Sequence, residues 1–336
     1  ANANLVEVVG MALADHDRGL MLAEWAVSLA ERPSVRRRTQ AVSHTAHGHL
    51  STTRGELGPA QHHYERALEL LRREHGEDHL ALVEPLDGLA TALRQRGELG
   101  LALAHRRRAL ALLLGTYGEQ HPSTAFTRAN LAAILRDQGE LAEARRQLEQ
   151  AITVLEGALG ADHPALAAPH SGLATVLDEQ GEHAEADPEH REAIRIWAQA
   201  LGAGHPDVAT ARYNLAVSLG SRGQHAAAIV ELERALGILR ARPPTPQLVS
   251  QQAAVLRELG RRHRERGDLV AAEARYREGI AVLERAEGEH DATMASLLNG
   301  LGRVVLGRGD APQAERLHRR ALAIYERAGG PKRLEA

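Results

Sequence analysis

The sequence predicts an all-α solenoid of antiparallel helix pairs, and three observations carry that prediction. A pattern of glycines and small residues returns every 42 residues along most of the chain. Between these landmarks the apolar positions are spaced by three and four, the period of a helix that buries one face. The composition agrees: 43% of the 336 residues are hydrophobic but only 2% are aromatic, with one Phe and two Trp. A core of alanine and leucine suits closely stacked helices better than a β-sandwich, which draws on aromatic and β-branched residues.

Two landmarks define the period. G-E-Q-H-P around His121, G-A-D-H-P around His163 and G-A-G-H-P around His205 lie 42 apart, and G-E-D-H-L at His79 extends the series backwards. A glycine recurs at Gly55, Gly97, Gly139, Gly181 and Gly223, then at Gly267 and Gly309 after a two-residue insertion. Self-similarity of this kind decides the architecture before any single element is assigned. Five places after each glycine stands Ala60, Ala102, Ala144, Ala186, Ala228, Ala272 or Ala314. Twelve places after it stand Ala67, Ala109, Ala151, Ala193, Ala235, Gly279 and Ala321. Seven places before it stand Gly48, Ala90, Ala132, Ala174, Ala216, Gly260 and Gly302, preceded by His47 and then by six leucines from Leu89 to Leu301.

Each unit therefore reads as two amphipathic helices joined at the glycine, which can take the left-handed conformation that ends a helix tightly. Small residues at fixed places let helix backbones approach, and the leucines fill the space between. Pro122, Pro164 and Pro206 suit a first helical turn, where a missing N–H costs nothing. Taken along the chain, residues 1–33 form a degenerate N-terminal hairpin or cap, with His16-Asp17 at its turn. Its face of Leu22, Trp25, Ala26 and Leu29 is expected to stack on the next unit, with Trp25 in the core or end cap. Residues 34–240 hold repeats one to five. Residues 241–247, with three prolines, form an extended connector, read either as a hinge or as a longer loop with stacking intact. Residues 248–328 hold repeats six and seven, and 329–336 a C-terminal tail. Pro85 and Pro169 should shorten or bend their first helices, and Pro188 should kink the second helix of its unit.

The small–Leu pairing, the glycine turn and the two alanines that follow resemble the tetratricopeptide repeat family. The 42-residue period and the G-x-D-H-P connector are similar to its long-helix, kinesin-light-chain-like variety, also found in sensor arms of bacterial multidomain signalling proteins. The resemblance covers about Ser34 to Arg327 and implies a right-handed superhelix. It departs from the family in lacking most aromatic positions, Tyr64 and Tyr276 being the main survivors. Arg106, His190 and His318 stand where a large apolar residue is usual, so their units are expected to pack more loosely.

The resemblance also implies that the first helices line a concave face that holds an extended peptide. Its inward places bring forward Phe126, Asn130 and Arg136, then Tyr213 and Asn214, then Arg257, Arg261 and Arg264, and finally Asn299 and Arg303. Glu84, Asp87, Arg94, Thr175, Asp178 and Glu179 fall on the same face. An asparagine amide donates and accepts at once, so Asn130 and Asn214 can hold a peptide backbone or satisfy a neighbouring helix instead. The arginines would suit an acidic or phosphorylated segment, or form a solvated and internally paired row. The pattern of repeats that clamp the C-terminal carboxylate of a partner is absent.

Other function classes fare poorly. A net charge of -3 provides no general field for nucleic acid. There is no cysteine, and no run of about 18 apolar residues that would span a membrane. The sequence opens without methionine or a basic leader, as expected of an excised segment with no export signal, and a cytoplasmic location is expected. Lys332 is the one lysine among 41 basic residues, a bias of GC-rich bacterial genomes. His44, His47, His49, His62 and His63 have the residue type of a zinc site, but no H-E-x-x-H accompanies them and His47 takes a core place. His183, Asp187 and His190 align along one face, with His190 at a core place. No phosphate loop, nucleophile elbow or kinase signature appears. The expectation is a protein- or peptide-binding scaffold that is no enzyme and has no cofactor or metal. It would serve as the sensor or docking region of a larger bacterial signalling or defence protein. Self-association through solenoid ends is the alternative.

Overall fold

The computed structural model describes residues 16–30, 36–286 and 291–327. The described residues form fifteen α-helices and no strand. The molecule divides into two compact units, Ala1–Ala161 and Asp162–Ala336. In the first, α1 (His16–Ala30) precedes three hairpins: α2 (Arg37–Arg54) with α3 (Leu57–His75), α4 (Val83–Gln95) with α5 (Leu99–Tyr117), and α6 (Pro122–Asp137) with α7 (Leu141–Leu159). The second holds four: α8 (Ala167–Gln180) with α9 (His183–Leu201), α10 (Pro206–Ser221) with α11 (His225–Arg240), α12 (Pro246–Glu265) with α13 (Leu269–Glu284), and α14 (Asp291–Gly307) with α15 (Ala311–Arg327).

All seven hairpins turn through the landmark glycine, at φ between 75° and 92°. Glycine alone takes that conformation without a Cβ penalty. The residue after each glycine donates its N–H to the carbonyl five places before itself, as in Glu98 N to Leu93 O at 2.9 Å. This is the bond that satisfies an otherwise orphaned carbonyl at a helix end. The alanines five and twelve places on are buried wherever they recur.

The ninth place after the glycine sets the packing. Where it holds a ring, glycines make room for it. A Cβ at Gly48 or Gly88 would overlap the Tyr64 ring, and one at Gly260 or Gly300 would overlap Tyr276. The expectation that polar residues at this place loosen their hairpins is overturned. Arg106 is 3% exposed and His190 2% exposed, and both are hydrogen-bonded rather than loosely packed. His318 Nδ1 meets Asn299 Oδ1 at 2.9 Å over Gly302. A buried polar group is tolerated when its bonds are made inside.

The connector histidines act as helix caps. His79, His121, His163 and His205 each accept, through Nδ1, the backbone N–H two residues on, at 3.1–3.3 Å. Thr245 takes over before α12, accepting from Leu248 N at 3.3 Å with Pro246 in the first turn. Helices α11 and α12, which flank the proline-rich segment, pack against each other within the second unit. Pro85 and Pro169 are third in α4 and α8, and each of these helices is preceded by a separate 3-10 turn, Leu80–Leu82 or Pro164–Leu166. Helices α6 and α10 lack that proline and start directly at Pro122 and Pro206. Pro188 lies inside α9, which nonetheless continues to Leu201.

At the N-terminal end, His16 and Asp17, read as a turn, are the first residues of α1. Trp25 is 59% exposed and not in the core as expected. Leu22 and Ala26 pack there as expected, with Ala23 beside them, against Ala46 and Leu50 of α2. Small residues permit the close approach there, and an indole would hold the helices apart.

Candidate functional site

The first unit contains a cavity of about 660 Å³, built from three consecutive first helices with two second helices beneath. His49, Thr52 and Thr53 of α2, Glu84, Asp87 and Thr91 of α4, and Phe126, Thr127 and Asn130 of α6 face it. Tyr64 of α3 and Arg106, Leu113 and Tyr117 of α5 complete it. The repeat explains this composition. Glu84 and Phe126 stand one period apart, so equivalent places on neighbouring helices bring a carboxylate beside an aromatic ring. Phe126 is 40% exposed and Tyr117 48% exposed, with the Tyr117 ring stacked on the His121 imidazole at 4.2 Å.

An ion pair lies at the cavity floor. Arg106 Nη1 is 2.7 Å from Asp87 Oδ1, and Arg106 Nη2 donates to Asp87 O at 3.1 Å and to Thr91 Oγ1 at 2.9 Å. Thr127 Oγ1 donates to Asp87 Oδ2 at 3.3 Å. Burial pushes the Asp87 carboxyl up from its ordinary value, against the pull of Arg106 and Thr127, and burial lowers Arg106. A carboxylate offers about four acceptor positions, and this one keeps capacity on its cavity side. Sequence reasoning placed Asp87 on this face but took Arg106 for a packing defect. The available signal was Arg106 in a leucine place with an acid one helix away.

Among the expected site residues of the first unit, Phe126 and Asn130 line the cavity. Asn130 is exposed, and its amide has no hydrogen bond among the described residues. Arg136 stands apart from it, with Nη2 on Asp137 Oδ1 at 2.8 Å. In the second unit, Asn214 Nδ2 donates to Ser171 Oγ at 3.4 Å, and Arg257 Nη2 to Tyr213 Oη at 3.4 Å. Arg261 lies 3.6 Å from Glu258 and 3.5 Å from Glu265, and Arg264 lies 3.9 Å from Glu265. Arg261 and Arg264 are thus offset by glutamates of their own helix. Asn299 holds His318, and Arg303 is exposed.

Two histidine groups lie elsewhere. His44 Nδ1 meets His63 Nδ1 at 2.9 Å, and the His47 and His63 rings are centred 3.8 Å apart. Burial, with Arg66, His62 and His47 nearby, lowers His44 to about 4. Burial and the neighbouring histidines lower His63 to about 3. In the second unit, His183 and His190 share Asp178, each at 2.8 Å, and Ser218 donates to it at 2.7 Å. Burial alone would raise Asp178, but these bonds outweigh it and hold the carboxyl at about 2. Asp187, expected to join the two histidines, instead pairs with Arg222 at 2.5 Å. Among the described residues no group of three or more such side chains is arranged to hold a metal ion, and no helix is long and apolar enough to cross a membrane.

A family model described as tetratricopeptide repeat matches residues 39–115, 87–157, 128–196, 167–241 and 251–327. No curated protein matches the sequence significantly. Solved structures do. The Podosopora anserina putative kinesin light chain with nearly identical repeats is 23% identical, covering 62% of this chain and 98% of that one at a TM-score of 0.53. A Rap protein complexed with Competence and Sporulation Factor is 15% identical, covering 97% of both chains at a TM-score of 0.60. A signal transduction ATPase with numerous domains and a tetratricopeptide repeat sensor, from Pyrococcus horikoshii, is 13% identical, covering 97% of this chain and 47% of that one at a TM-score of 0.67. At these identities the likeness is one of fold.

Proposed function

The chain belongs to the tetratricopeptide repeat family, and from that premise we propose that it holds an extended segment of another protein in the cavity of its first unit. The family is a scaffold class, generally without catalysis. The observation that carries the reading is the cavity itself. Three first helices in succession present Thr52, Glu84, Phe126 and Asn130 to one space, with an exposed aromatic ring and an amide free to pair with a peptide backbone. Exposed apolar surface rimmed by polar groups is the usual mark of a binding site. Tyr213, Asn214, Arg257, Arg261, Arg264, Asn299 and Arg303 are proposed as the corresponding face of the second unit. An acidic segment bound there would have to compete with Glu258 and Glu265.

The wider role proposed is that of a sensor or docking region in a larger bacterial signalling protein. The fold likeness to a longer signalling ATPase, of which this chain spans less than half, supports it. Partner recovery from a GC-rich bacterial lysate tests the binding claim, comparing the unaltered protein with Phe126→Ala/Asn130→Ala. Truncating an aromatic anchor should cost about 1–2 kcal/mol, or at least fivefold in retained partner. Equal recovery of every partner by both proteins would remove the cavity as the site. Light scattering across concentration separates this reading from self-association.

A further inference from the structure

The exposed charge lining the cavity is opposite in sign to that of the arginine row. Within it, the guanidinium of Arg106 is already committed to Asp87 and Thr91. Asp87 is neutralised from below but has one side open. Glu84 lies one helical turn before Asp87 on the same face of α4, is exposed, and has no ion-pair partner among the described residues. The accessible charge is therefore a carboxylate with no internal cation to answer it. Beside it stand the rings of Phe126 and Tyr117, and the aliphatic side chains of Leu80, Val83 and Leu113 form the apolar part of the wall.

Resting on the binding role proposed above, we infer that this cavity takes a lysine or arginine side chain flanked by an aliphatic or aromatic residue, presented by an extended segment of a partner protein. The cation lies between Glu84 and Asp87 with a ring face alongside, where ion pairing and cation–π attraction act together. Its apolar neighbour covers Leu80, Val83 and Leu113. Asn130 pairs with the backbone of the same segment. A carboxylate-bearing segment is rejected, because it would face Glu84 without reaching Arg106.

Selection from a random dodecapeptide phage library against the 336-residue chain tests this. The expected result is a consensus with Lys or Arg within two places of an aromatic or aliphatic residue. Synthetic peptides of that consensus, labelled for fluorescence anisotropy, should bind Glu84→Gln about three- to fivefold more weakly, the scale of a partly exposed ion pair. Selection on Glu84→Lys should lose the basic consensus. Glu84 also sits in the first turn of α4, where its charge suits the helix dipole, so thermal melts of both variants accompany the binding data. Asp87→Asn is avoided as the sole variant because it strips Arg106 of its counter-ion. If selected peptides lose affinity with Phe126→Ala but show no basic preference, the charge inference fails and the cavity reading survives. If no peptide is selected, or Phe126→Ala leaves binding unchanged, both fail.

Discussion

At the scale of single residues, the contact between His44 and His63 makes this protein acid-sensitive at one place. In three other hairpins the same two places hold complementary groups: Arg128 with Gln147, His170 with Glu189, and Arg212 with Glu231. The first hairpin holds two bases instead. His47 on α2 and His62 and Arg66 on α3 face this pair, and Glu24 of α1 and Glu56 act on His47. In the unfolded protein both imidazoles take up protons near 6.5, whereas the folded pair does so only at about 4 and about 3. Between those values the unfolded state binds more protons, so stability is full above about pH 6.5 and falls as the pH drops through that window. His63→Glu restores the complementary arrangement and should flatten the fall. Urea midpoints at about pH 7 and about pH 4.5 check this, and equal acid losses in both proteins would show that the pair is not responsible.

At the scale of the helix pair, the ninth place after the turn is a socket that the neighbouring first helix must match. Leu148 and Leu232 fill it with hydrocarbon, Tyr64 and Tyr276 fill it against glycines, and Arg106 and His190 fill it with an acid partner. Arg106→Leu alone should destabilise the second hairpin by about 1–3 kcal/mol, because it leaves the half-buried Asp87 without its cation. Adding Asp87→Ala copies the third hairpin, which has Leu148 and Ala129 at these places, and should recover most of the loss. Denaturant midpoints of the two variants decide it: additive losses would mean that the pair is not coupled. These matches explain what could be read in advance. Helix boundaries, turn glycines and buried alanines follow from local spacing. The partner of Arg106 does not, because it lies on another helix and only the hairpin geometry brings it near.

At the scale of the whole molecule, a repeat array is stabilised by intrinsic repeat terms and contacts with neighbours, so its ends are its weakest parts. Among the described residues helix α15 packs chiefly on α14 and carries exposed Leu322 and Tyr325. Amide exchange followed by mass spectrometry should find α15 among the first helices of the second unit to exchange, ahead of α10 to α12, with protection rising inward. Uniform protection across that unit would contradict the repeat-wise picture. The sequence by itself determined that this protein is all-α, where the seven described hairpins turn, and which small residues are buried between helices. Those properties depend on residues within one period of each other, and a period of 42 prints them seven times. Only the tertiary structure decided that Trp25 is exposed, that Arg106 and His190 in core places meet an acid partner, that Arg261 and Arg264 answer to glutamates of their own helix, and that Glu84 and Phe126 border one cavity. Each of these depends on which side chains face one another across separate helices, and spacing along the sequence does not carry that information.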